Sequence, residues 1–222
     1  MRSEDFWESD EQVETFASRP PDQRLLELLG QFERPREVRV LDLGCAGGRN
    51  AVVLAERGFD FYAIDSSRAM VDKTRARVAD VLGAAEAERR VNLGRMEDLA
   101  QFESEAFNLV VALGVFHSAG GRRAWEQALG ETARLLAPGG QLLVANLSPR
   151  SDPGRTGLRR AAETDYVYEG FDAGPLFLLE AEELDAEFSR FGLQPIEPTR
   201  TVSTPTEAGQ RVTVNGLYRR VT

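Results

Sequence analysis

Val40-Leu41-Asp42-Leu43-Gly44-Cys45-Ala46-Gly47-Gly48 is the stretch whose reading decides the fold. Its first residues belong to a short apolar run, 38–43, of the kind that forms a buried strand. Five small residues follow. Residues 50–57 then read as a helix, with Ala51, Leu54 and Ala55 on one face and Gly58 as its stop. Small residues at a strand-to-helix joint let a ligand approach the backbone closely. The first N–H groups of the helix have no partner within it and point at whatever sits there.

The same rhythm continues outward. Strands are expected at 59–64, 91–93, 107–113 and 141–146, and helices at 67–82 and 123–136, the last stopped by Pro138-Gly139-Gly140. Alternating strands and helices imply βαβ units and a parallel sheet covered on both faces. The runs 108–113 and 142–145 show little alternation, as central strands do. Past Ser148, a helix is expected at 180–191, with strands at 193–196 and 211–221 separated by a turn marked by Pro205 and Gly209. The expected fold is therefore α/β and doubly wound. Its sheet is mostly parallel and seven-stranded, Rossmann-like, with helices on both faces and an antiparallel last strand. Residues 1–35 are expected to form an N-terminal helical lid segment, with helices at 8–17 and from Asp22 to Gly30. Residues 36–222 make the main domain, and 149–179 is an insertion without an obvious element, read as a lid or as disorder.

Composition narrows the function. The 222 residues carry a net charge of -9, which disfavours a nucleic-acid partner. Of the 27 basic side chains only Lys73 is lysine. Cys45 is the one cysteine, so no intrachain disulfide forms and a cytoplasmic location is expected. The start Met1-Arg2-Ser3-Glu4-Asp5 is acidic and is not read as an export signal. No apolar run is long enough to span a membrane, so no membrane partner is expected. One cysteine and one histidine do not build a usual zinc site, so no metal is expected. Neither a P-loop nor a G-x-S-x-G elbow is present.

Asp65 closes the second expected strand, about 20 residues past the glycine turn, where a carboxylate accepts from ribose hydroxyls. The competing reading makes it a cap for the next helix, beside Ser66 and Ser67. The dinucleotide fingerprint G-x-G-x-x-G fails, because Ala46 and Arg49 stand where it requires glycine.

The stretch instead resembles motif I of the class I S-adenosylmethionine-dependent methyltransferases, with Ala46 in place of the middle glycine. Phe107 to His117 resembles motif IV and the turn after it, and Leu135-Leu136-Ala137-Pro138-Gly139-Gly140 resembles the turn before the fifth strand. The step Gly48-Arg49-Asn50 is similar to the tellurite-resistance and thiopurine methyltransferase-like small-molecule branch. The resemblance implies S-adenosyl-L-methionine as cofactor and methyl transfer to a small-molecule acceptor by direct in-line displacement. It implies that Gly44, Cys45, Ala46 and Gly48 line the cofactor, Asp42 holds its ammonium, Asp65 binds the ribose, Ser66 contacts the cofactor beside it, and Met70 packs near the adenine. Met96 and Glu97 would serve the adenine edge, since Arg95 stands where many members carry an acid and arginine accepts no hydrogen bond. Leu113 would contact the cofactor as the fourth strand ends.

His117, the single histidine, is the candidate catalytic residue, either as a general base or as a polar wall of the site. Phe6, Trp7, Tyr166, Tyr168, Phe171 and Phe177 either shape an acceptor pocket or fasten the flanking segments to the sheet. Two other functions stand beside methyl transfer: a non-catalytic module that binds S-adenosylmethionine, and a nucleotide-dependent oxidoreductase.

Overall fold

The computed structural model describes residues 6–154, 157–161, 166–207 and 209–221. Residues 1–5, read above as no export signal, lie outside these, as do 155–156 and 162–165 of the expected insertion.

Helix α1 (Asp10–Ala17) is capped by the Ser9 hydroxyl, and α2 (Gln23–Leu29) by the Asp22 carboxylate. The parallel core then unrolls as β1 (Arg39–Leu43), α3 (Arg49–Glu56), β2 (Asp60–Asp65), α4 (Arg68–Leu82), α5 (Ala84–Arg90), β3 (Val91–Leu93), β4 (Phe107–Leu113), α6 (Arg122–Leu135) and β5 (Leu136–Leu147). Three short strands follow: β6 (Arg159–Arg160), β7 (Val167–Glu169) and β8 (Leu176–Phe177). The chain closes with α7 (Ala181–Ser189), β9 (Leu193–Pro195), β10 (Arg200–Thr206) and β11 (Gly209–Arg220).

The large sheet runs β10-β11-β5-β4-β1-β2-β3, with β9 also paired to β11. Strands β1 to β5 pair in parallel, and β11 runs antiparallel to β5. The strand order reverses between β1 and β4, which opens a crevice at their carboxyl ends. Alternation along β1 and β4 sorts the core into two layers. Val40, Leu109 and Val111 pack under α2 to α5, while Leu41, Val110 and Ala112 pack toward α6 and α7. Helix α6 turns Trp125, Ala128, Leu129, Thr132 and Leu135 inward at helical spacing.

Four details depart from the expected layout. The edge beside β11 is shared by β9 and an unforeseen strand, β10, which is exposed along its whole length. An exposed strand buries no apolar face, so it leaves no alternating pattern to read. Strand β5 begins at Leu136, directly after α6. Pro138-Gly139-Gly140 therefore bends the strand, with Gly139 at φ +76°, and the register with β4 shifts there. Residues 84–90 form α5, missed because they bury only Ala87. The stretch 149–179 contains the small antiparallel sheet β6-β7-β8. No helix among the described residues is long and apolar enough to cross a membrane.

Candidate active site

The crevice opens into a cavity of about 460 Å³, within the range of small-molecule sites. One part of its wall is built by the glycine turn. Gly44 sits at φ +74°, and a β-carbon there would lie 2.7 Å from the Val115 side chain. The turn therefore requires glycine on conformational and on spatial grounds. Ala46 also adopts a left-handed φ, +47°. Its N–H donates to Asp65 Oδ2 at 2.8 Å, and its carbonyl accepts from the Thr74 hydroxyl at 2.6 Å. Gly44, Cys45 and Ala46 line the cavity, whereas Gly48 stands behind its wall, heading α3 at φ +82° against Thr74.

Asp65 lines the cavity at the end of β2, and its other oxygen accepts from the Ser67 N–H at 3.0 Å. Ser67, not Asp65, caps α4, through its hydroxyl on Met70 N–H. The cap reading of Asp65 thus gives way to a brace between two loops whose remaining lone pairs are free for a ligand. Burial pushes the Asp65 carboxyl up, against the backbone N–H groups that favour its charge. Ser66, Met70, Met96, Glu97 and Leu113 share the cavity wall. Glu97 is mostly buried and faces Arg95 Nε at 3.5 Å, so the departure at Arg95 is matched by an acid two residues on.

Asp42 lies one layer deeper. It is buried beneath the turn, and its Oδ2 has no hydrogen-bond partner among the described residues. Burial, reinforced by Asp65 and opposed by Arg49, raises its pKa from 3.8 to about 7. An unpaired buried acceptor under a ligand cradle fits a cationic group. With the glycine turn and Asp65, this donor set suits a nucleoside cofactor bearing an ammonium.

Other parts of the cavity wall come from segments outside the parallel core. Phe6, Trp7 and Phe16 come from the N-terminal segment, and Phe171 from the stretch before β8. The N-terminal segment is tied down over the turn. The Glu8 carboxylate accepts from Arg68 and Ala69 N–H, and α1 packs so closely that a β-carbon on Gly47 would lie 2.6 Å from Ala17. The six aromatic candidates divide. Phe177 is buried and stacks on Trp125 at 4.6 Å, and Tyr166 packs against Phe177. Tyr168, at β7, is outside the cavity wall. Phe6, Trp7 and Phe171 face the cavity.

His117 lines the cavity from the turn after β4 and is buried. Its Nδ1 accepts from the Leu147 N–H at 3.3 Å, and burial with Arg211 nearby lowers its pKa to about 4. The imidazole is therefore neutral at pH 7, with its proton on Nε2. The sequence offered no sign of Arg19, Arg49 and Arg211, which also line the cavity. They come from three distant segments, and single arginines carry no pattern.

A doubly wound sheet with a glycine turn and an acid at the ends of β1 and β2 defines a nucleoside-cofactor domain. Residues 40–140 match the model of a family described as Methyltransferase domain. Over 107 residues the chain is 36% identical to the O-antigen chain terminator bifunctional methyltransferase/kinase WbdD of Escherichia coli, covering 46% of this chain and 15% of that protein. The chain thus spans only a small part of that relative. Its fold is similar to that of the 1,6-didemethyltoxoflavin-N1-methyltransferase of Burkholderia thailandensis, whose structure holds S-adenosylhomocysteine. That likeness has 19% identity and TM-score 0.63, over 98% of this chain and 82% of that one. The CcbJ methyltransferase of Streptomyces caelestis is similar at 24% identity and TM-score 0.64, over 93% and 92%. The [4+2]-cyclase SpnF is similar at 16% identity and TM-score 0.70, over 100% and 98%. Residues 40–140 thus match a methyltransferase domain, and the chain has the fold of solved methyltransferases.

Proposed function

We propose that this domain methylates a small molecule by direct in-line displacement. The observation that carries the reading is one continuous cavity. Its wall holds the glycine turn and Asp65 together with aromatic side chains and His117. S-adenosylmethionine supplies a methyl group on a positively charged sulfur, which an acceptor lone pair takes as the sulfur becomes a neutral thioether. The protein's part is to orient the acceptor and exclude water. Gly44, Cys45, Ala46, Asp42, Asp65, Ser66, Met70, Met96, Glu97 and Leu113 are assigned to the cofactor, Gly48 supporting them from behind. The described residues of the expected lids, 1–35 and 149–179, are assigned to the acceptor. The Gly48-Arg49-Asn50 step is the basis for placing the chain in the tellurite-resistance and thiopurine methyltransferase-like branch.

His117 is assigned a positioning role. With Nδ1 engaged by Leu147, it offers an Nε2–H donor to the acceptor rather than a base. His117→Ala then slows turnover while leaving S-adenosylhomocysteine affinity unchanged, and equal turnover removes the assignment.

Calorimetry with S-adenosylmethionine, S-adenosylhomocysteine and NAD tests the cofactor. A screen of small acceptors that detects S-adenosylhomocysteine tests the reaction. Binding of NAD but not of S-adenosylmethionine overturns the proposal. The likeness to a [4+2]-cyclase favours a second reading, in which the cofactor is held without methyl transfer. Cofactor binding with no acceptor turned over supports that reading.

A further inference from the structure

We propose that the methyl acceptor carries an anionic group, a carboxylate or a phosphate, on a flat or apolar body, and that Arg19 and Arg211 receive that group. This rests on the reading of the cavity as a methyltransferase site. Arg19 lies after α1, Arg49 opens α3 and Arg211 lies on β11, yet all three face one cavity. None of them forms an ion pair with a carboxylate among the described residues. In a chain with a net charge of -9, three guanidinium groups gathered without a counterion are a marked departure from the average surface.

The local partners confirm that the charges are not spent elsewhere. The Arg19 guanidinium lies 4.1 Å over the Phe16 ring, and Arg49 donates only to the Pro20 carbonyl, at 3.3 Å. The acid acting on Arg211 is Asp22, which already accepts from Arg24 at 3.1 and 2.9 Å. Asp152 and Asp172 also line the cavity. Asp152 accepts from the Gly154 N–H at 2.8 Å, and Asp172 is exposed. Burial, and then the neighbouring arginines, disfavour the charge of Arg19 and Arg211 and lower their pKa. Guanidinium groups remain charged despite this, so an anion relieves the repulsion and gains forked hydrogen bonds.

The cofactor brings one carboxylate. Arg49, adjoining the glycine turn, is the arginine next to the cradle. Arg19 and Arg211 then remain for a second anion. Beside them stand the rings of Trp7, Phe16 and Phe171, which suit a flat or apolar body.

The test uses the whole chain saturated with S-adenosylhomocysteine. Calorimetry compares benzoate with benzamide, and phenyl phosphate with phenol, so the two arms separate carboxylate from phosphate. At least one anion is expected to bind about tenfold tighter than its neutral counterpart. The Arg19→Gln/Arg211→Gln double variant is expected to lose that preference while keeping its S-adenosylhomocysteine affinity. If the double variant does not fold, each single variant is expected to reduce the preference. S-adenosylhomocysteine binding with no preference for either anion, or a preference unchanged in the variants, overturns the proposal and leaves the methyltransferase reading standing. No binding of S-adenosylhomocysteine to the native chain overturns both.

Discussion

Two parts of the cavity wall are built on different principles. The part proposed for the cofactor grows from consecutive residues at the tips of adjacent parallel strands. Gly44 to Ala46 follow β1, Asp65 closes β2, and backbone N–H groups lock the two together. The part proposed for the acceptor is assembled from pieces far apart in sequence: Trp7 and Arg19, then His117, Phe171 and Arg211. A short local pattern can encode the first, because strand, turn and helix place the residues. The second depends on how flanking segments fold back over the sheet.

The largest expected effect concerns how firmly the acceptor segment is attached. Phe177 is fully buried, stacked on Trp125, so it belongs to the core despite lying within the expected lid. Phe177→Ala is expected to cost about 3–5 kcal/mol in urea unfolding. Phe171→Ala, at the cavity wall, is expected to stay within about 0.5 kcal/mol. Similar costs for both would erase the division between anchor and wall.

The second effect is on cofactor binding. Asp65→Asn removes the charge offered to a ribose and keeps only one of the two brace bonds, since its amide nitrogen cannot accept an N–H. S-adenosylhomocysteine affinity is expected to fall about tenfold to a hundredfold by calorimetry. Unchanged affinity would reduce Asp65 to a structural brace.

These contrasts explain what was legible. β1, β2 and β4, the glycine turn and Asp65 could be read because burial on both faces and the small-residue turn each leave a local signature. The antiparallel β11 was visible through Val212, Val214 and Leu217. Strand β10 was not, since all its residues are exposed and its place depends on pairing with β11. Phe177 and Phe171 are the same residue type six positions apart, and only tertiary packing separates their roles. The arginine cluster was hidden for the same reason. Its members share a cavity but no sequence neighbourhood.

The third effect is a pH dependence. Asp42 has a folded pKa near 7 against an ordinary 3.8. Between these values the folded, cofactor-free protein holds a proton that the unfolded chain releases, so this group's contribution to stability falls as pH rises through the window. Ligand binding runs the other way. If Asp42 holds the ammonium of S-adenosylhomocysteine as proposed, binding requires the carboxylate, and affinity is expected to drop about tenfold per pH unit below about 7. His117 adds no inflection there, because it stays neutral down to about pH 4. Asp42→Asn is expected to flatten both profiles relative to the native protein, in unfolding and in calorimetry. Profiles that persist in the variant would assign the titration to another group.

The smallest effect lies within the turn itself, at two neighbouring positions. Gly44 and Ala46 both have left-handed φ, yet only Gly44 is glycine. At Gly44 an added β-carbon meets Val115 at 2.7 Å, so Gly44→Ala is expected to destabilise by about 1–3 kcal/mol and to weaken cofactor binding. Ala46 already carries a β-carbon in that strained region, where a left-handed residue costs roughly 1–2 kcal/mol. Its N–H to Asp65 and its carbonyl to Thr74 hold it there. Ala46→Gly relieves the strain but increases the freedom of the unfolded chain by about 0.4–1 kcal/mol. The balance is a gain of about 0.5 kcal/mol, with cofactor affinity nearly unchanged because both backbone bonds remain. A destabilised Ala46→Gly would mean that the methyl group packs usefully against the turn, and that this alanine supports the part proposed for the cofactor rather than merely being tolerated there.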